Sequence, residues 1–144
     1  MNKSHCIVIG KMHSYVIQPM YLDSQCIGWT NSIKYLGVYL QSGKTVKFDI
    51  NPCKRAFYIA CNSILMHVSD INEWALLSLQ ESYSLSILMY AAPALAFTSE
   101  QIQELNTCWN SVIRRLFDYS KRKSVKAVLL GLGRFNVNVR HLIM

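Results

Sequence analysis

The sequence predicts an α+β chain, with a short β region first and a helical bundle after it. Two observations carry that prediction. Apolar residues alternate with a period near two up to about residue 50, and thereafter recur at spacings of three and four. Pro52, a residue suited to the first turn of a helix, stands where the period changes. The expected division is a β region over 1–51 and a helical region over 52–144. With 144 residues and 51% hydrophobic content the chain can build a real core.

In chain order, residues 6–9, 20–22, 26–29 and 35–40 read as short strands, with Asp23-Ser24 and Ser42-Gly43 as hairpin turns. The stretch KYLGVYL, residues 34–40, is read as one strand. Its alternation places Tyr35, Gly37 and Tyr39 on one face and Leu36, Val38 and Leu40 on the other. Gly37 midway predicts a bulge or a close approach of another backbone.

Beyond Pro52, the residues Phe57, Ala60, Cys61, Ile64, Leu65 and Val68 form a helical apolar stripe. Asp70 followed by Glu73 reads as a cap for a helix over 74–90, which Pro93 is expected to break. Thr98 with Gln101 matches a capping box. It opens the clearest helix, carrying Ile102, Leu105, Trp109, Val112, Ile113 and Leu116. Ser124 is expected to cap a last short helix that ends at Gly131 to Gly133.

The net charge of +7 favours an anionic partner, either nucleic acid or a membrane surface. It is unevenly spread: +3 over 1–53, −3 over 54–110 and +7 over 111–144. Arg114, Arg115, Lys121, Arg122, Lys123 and Lys126 make the basic end, where Asp118 is the one acid. Such a cluster can neutralise backbone phosphates and release counterions. It can equally be a solvated face with helix-end charges that complement the dipole.

Cys6, Cys26, Cys53, Cys61 and Cys108 are an odd set without a C-x-x-C pair or a His at ligand spacing. Neither a disulfide framework nor a metal site is expected. The N-terminal apolar run is too short for a signal peptide, so an intracellular chain is expected. Residues 82–99 carry no charge, but serines and Pro93 interrupt them, and a buried helix is the expected fate rather than a membrane span.

Phosphoryl transfer on two metal ions needs converging carboxylates. The β region offers only Asp23 and Asp49, and no Asp-Asp pair exists in the sequence. His67, Ser69 and Asp70 lack a nucleophile elbow, and Gly131 and Gly133 follow a helix rather than open one, so neither a triad nor a phosphate loop is expected.

Five segments together resemble the reverse transcriptases of LINE-type (non-LTR) retrotransposons: NKSHCIVIG, SIKYLGVYLQSGK, KRAFYIACNSI, QESYSLSILMYAAPAL, and ELNTCWNSVIRRLF with SVKAVLLGLGR. KYLGV and the Leu-Asn-x-x-Trp-Asn-x-x-x-Arg helix are the most specific. The resemblance implies that the chain covers the end of the polymerase palm and the thumb. Lys3, in the Lys-Ser segment, would then neighbour the incoming nucleotide's phosphates, although Asn2 adjoins Lys3 where the family has two intervening residues. Lys34, Tyr35, Leu36, Gly37 and Val38 would belong to the primer grip, and the basic turn at 121–126 would touch the duplex held by the thumb. The catalytic aspartates, with the fingers and the rest of the palm, would precede Met1, and the Mg2+ of the full-length enzyme would bind there. The expected partner is therefore an RNA–DNA or DNA duplex, with no cofactor, small-molecule substrate or polymerase activity in the chain alone. A free-standing basic nucleic-acid-binding helical protein is the alternative, and a small membrane-associated protein the third reading.

Overall fold

The computed structural model describes residues 4–68, 71–90 and 97–137. The protein is α+β, with short antiparallel strands followed by helices. It divides into two compact units, residues 1–50 and 51–144.

In the β unit, β1 (Met20–Leu22) and β2 (Gln25–Ile27) pair antiparallel. Asp23 and Ser24 close them with φ of 47° and 62°. Both central residues are left-handed, which matches the turn to the strand twist. A second sheet runs β3 (Ser32–Tyr35), β4 (Val38–Gln41), β5 (Lys47–Asp49) in that order, all antiparallel. The Ser42-Gly43 turn lies in the β4 to β5 connection, and Lys47–Asp49 is a strand that the periodicity did not announce. Residues 6–9 form no strand of a ladder. They make isolated bridges instead, Cys6 to Trp29 and Ile9 to Gly43, reinforced by Ser42 Oγ donating to Val8 O at 2.8 Å.

KYLGVYL is not one strand. Leu36 and Gly37 take φ of 46° and 82° and fold the segment into a hairpin between β3 and β4. Folding reverses the chain, so faces follow cross-strand pairs rather than sequence alternation. Lys34 lies opposite Tyr39, whereas Tyr35 lies opposite Val38 beside the Ile33, Leu40 and Phe48 row. The two tyrosines expected on one face are thus on opposite faces.

In the helical unit, α1 (Asn51–His67) buries Phe57, Ala60, Cys61 and Ile64 as the stripe predicts, with Pro52 in its first turn. The next helical run comprises α2 (Glu73–Leu79), a π-helical segment (Gln80–Leu85) and α3 (Ser86–Met89). Its cap is Asn72, whose Oδ1 accepts from Ala75 N at 2.8 Å. Asn satisfies the orphan donors as well as Asp does and stands immediately before the helix. Asp70 and Pro93 lie outside the described residues. The π turn centres on Gln80 and Ser84, both fully buried: Gln80 Nε2 donates to Cys61 O at 3.2 Å and Ser84 Oγ donates to Gln80 Oε1 at 2.7 Å.

The capping box of α4 (Ser99–Leu116) is complete, with Gln101 N donating to Thr98 Oγ1 at 3.2 Å and Thr98 N to Gln101 Oε1 at 3.1 Å. Trp109 and Ile113 are fully buried at the centre of the core with Phe57, Leu77 and Leu88, while Ile102 and Leu116 are half-buried. Asn106 and Cys108, absent from the apolar reading, are buried too. A final helix, α5 (Val125–Gly131), ends in a Schellman motif: Gly133 takes φ of 63°, Gly133 N donates to Leu130 O and Arg134 N to Leu129 O. Ser124 stands at the N-cap position but makes no capping hydrogen bond.

Candidate nucleic-acid interface

The residues singled out by sequence fall in separate units, and each group has its own geometry. In the β unit, Lys34, Tyr35 and Gly37 are all exposed around the β3–β4 hairpin. Lys34 extends over the Tyr39 ring, 5.6 Å from its centroid, a cation–π contact that holds the ammonium beside an aromatic face. Tyr35 and Leu36 crown the hairpin with their side chains largely in solvent. Gly37 occupies the turn itself rather than the middle of a strand, so any close approach of a ligand backbone would be at the hairpin tip. Lys3 lies outside the described residues.

The six other cations come together at one end of the helical unit. They are ordered by three devices. Asp118, left-handed at φ of 48°, ends α4, and Tyr119 N donates back to Arg114 O at 2.8 Å. That bond turns the chain out of the helix. Phe117 and Tyr119 stack with centroids 6.1 Å apart, and Lys123 Nζ sits 5.2 Å from the Tyr119 centroid. The turn is closed by Lys123 N donating to Ser120 O at 3.1 Å. Lys121, Arg122 and Lys123 are all exposed, as is Lys126 one turn into α5.

Arg114 and Arg115 behave differently from one another. Arg115 Nη1 donates to Asn62 Oδ1 on α1 at 2.6 Å. That contact is the last rung of a seam, preceded by Lys54 Nζ to Glu104 Oε2 at 2.8 Å and by Tyr58 OH with Ser111 Oγ at 3.2 Å. Residue numbers rise together along both helices, so α1 and α4 run side by side in the same sense. The seam fixes where Arg115 can point. Arg114 is half-buried, and its Nε is buried without a hydrogen-bond partner. An unpaired donor on a cation is costly unless an anion reaches it.

Asn62, Phe117 and Tyr119 are the residues sequence reasoning missed. No local signal could reveal Asn62, which lies 53 residues from Arg115. The four-residue step from Tyr119 to Lys123 was visible, but it works through a turn and not along a helix face.

Two thiols of α1 are raised above their ordinary value. Burial pushes the Cys53 thiol up, with Cys108 adding to the shift; Cys53 Sγ lies 3.2 Å from Ile87 O. Burial also raises Cys61, against the opposing pull of a Ser84 hydrogen bond and the Arg115 charge. Lys54 is raised chiefly by its hydrogen bond to Glu104.

No group of three or more His, Cys, Asp or Glu among the described residues could hold a metal ion. Asp23 sits in the β1–β2 turn and Asp49 on β5. No helix of the described residues is long and apolar enough to cross a membrane.

No family model, curated protein or solved structure matches this chain.

Proposed function

We propose that the protein grips nucleic acid as the palm-end and thumb part of a LINE-type reverse transcriptase would, without polymerising alone. The observation that carries the reading is the basic turn: Lys121, Arg122, Lys123 and Lys126 all face solvent next to Arg114 and Arg115, with Asp118 as the one interspersed acid. A surface that only needed solubility would mix the signs. Here a single acid stands among six cations. The contact is electrostatic and reads backbone, not bases. The hairpin bearing Lys34, Tyr35 and Gly37 is the second gripping element of this reading, and it contributes the primer-end contact.

Fluorescence anisotropy of the full chain with a labelled RNA–DNA primer–template, titrated with salt, tests the proposal. Replacing Lys121, Arg122, Lys123 and Lys126 together by Ala removes up to four phosphate neutralisations, so the log–log salt slope should flatten by up to about 3.6. An unchanged slope would overturn the phosphate-contact reading. The helical unit has a core of its own, centred on Trp109, which favours as second reading a free-standing basic helical protein. Tighter binding to primer–template than to blunt duplex, lost on Tyr35→Ala, supports the first reading. Equal affinity for both supports the second.

A further inference from the structure

We propose that Ser124 is a phosphorylation site for a basophilic serine kinase, and that the phosphate switches off backbone binding by the basic turn. The second half rests on the nucleic-acid reading above. Three observations converge on this serine. Lys121, Arg122 and Lys123 occupy the three positions before it, a run of cations that an acidic kinase cleft can recognise by charge. Its side chain is exposed, and although it stands where a helix cap would, it makes no capping hydrogen bond, so the hydroxyl is available. Its backbone is extended, with φ of −73° and ψ of 118°, and so lies outside the helix that follows. Ser120, the other serine of the turn, follows Asp118 and Tyr119 rather than cations.

In the transfer, Ser124 Oγ bonds to the γ-phosphorus of ATP as the bond from that phosphorus to the β,γ-bridging oxygen breaks. ADP leaves, and the hydroxyl proton passes to the kinase's catalytic carboxylate. The product carries about −1.5 to −2 charges at pH 7. Placed among Lys121, Arg122, Lys123 and Lys126, it competes directly with a nucleic-acid phosphate for the same donors.

The full chain is incubated with ATP and the catalytic subunit of cyclic-AMP-dependent protein kinase, a basophilic probe, then mapped by peptide mass and titrated with labelled duplex. The expected result is one phosphate at Ser124, none at that position in Ser124→Ala, and a duplex Kd raised roughly 20- to 60-fold near 0.1 M salt, the loss of about 1.5 to 2 neutralisations. Ser124→Glu should weaken binding in the same direction by less. Because the hydroxyl is unbonded, Ser124→Ala should keep the parent's Kd and melting temperature. Phosphate found only on other serines, or full modification of Ser124 with an unchanged Kd, overturns the proposal. The two readings fail separately. An unmodified chain that holds no duplex at any salt concentration sinks the nucleic-acid reading and the switch with it, whereas the mass map tests the modification by itself.

Discussion

The helical unit is held by side chains and the β unit by backbone. In the helical unit Trp109, Phe57, Leu77, Leu88, Ile113 and Leu129 are all essentially inaccessible, drawn from helices far apart in sequence. Among the described residues up to 50, only Gly43 and Ile50 are buried. All of β1 is exposed, although its sequence is Met-Tyr-Leu, and Val16 is fully in solvent. Short ribbons without a covered face are marginal in water, since ladder hydrogen bonds alone barely offset the entropy of ordering the chain. The contrast teaches that local hydrogen-bond patterns and turn chemistry can define a fold region whose apolar residues are mostly only half-buried or exposed.

The sharpest way to break this contrast is Trp109→Ala. It should cost the helical unit about 3–5 kcal/mol, seen as a lower urea midpoint in the far-ultraviolet helix signal. A change below about 1 kcal/mol would mean that the core is not organised around this ring. Gln80→Ala is next, at roughly 1–3 kcal/mol, because it removes the bond to the Cys61 carbonyl and leaves the buried Ser84 hydroxyl without its acceptor. Gln80→Leu, equally large and apolar, should fail as badly if hydrogen bonding is the reason.

A third effect is driven by pH. Cys53, Cys61 and Tyr58 are all shifted up, chiefly by burial, so the folded state keeps these protons at a pH where the unfolded chain releases them. With more protons bound folded than unfolded, stability must fall as pH rises. The contribution is fully present below the ordinary thiol value of 9.0 and is lost above it. Lys54, also raised, adds a loss of the same sign above its ordinary 10.5. Melting curves should coincide between pH 7 and 8 and move to lower temperature beyond 9. Thiols that ionised at their ordinary value in the folded chain would leave the curves together.

The smallest effect belongs to the β unit. Leu36 is held at φ of 46°, a conformation Leu resists and Asn accepts, and Gly37 follows it. Leu36→Asn creates the favoured Asn-Gly turn and should slow amide exchange across β3 and β4, a gain of about 0.5–1 kcal/mol, while the helical melting temperature stays put. Faster exchange would show that Leu36 is seated in something that the exposed hairpin does not reveal.

Much of the helical unit was legible because caps and stripes are local. Thr98 and Gln101 meet as their spacing requires, and Trp109 is buried where a three-and-four rhythm puts it. The β unit was less so. Period two cannot distinguish one strand from two halves of a hairpin, and the Gly37 signal was masked because Leu, not Asn or Asp, precedes it. Asn72, which stands immediately before α2, supplies a cap that the spacing to Glu73 did not point to, while Asp70 lies outside the described residues. The basic cluster was readable as composition, but its shape comes from Asp118 turning left-handed and from Asn62 holding Arg115, neither of which is written in the spacing.

The π turn at Gln80–Leu85 has a bearing on length rather than on strength. An ordinary helix cannot lose a residue without rotating everything beyond the gap by about 100°, which would carry Leu88 and Met89 out of the core. A π turn already holds one residue more than the α path needs. Removing exposed Tyr83 should let the segment relax toward α geometry with both flanks still in place, so the protein is expected to accept a shortening here that it would refuse one turn earlier.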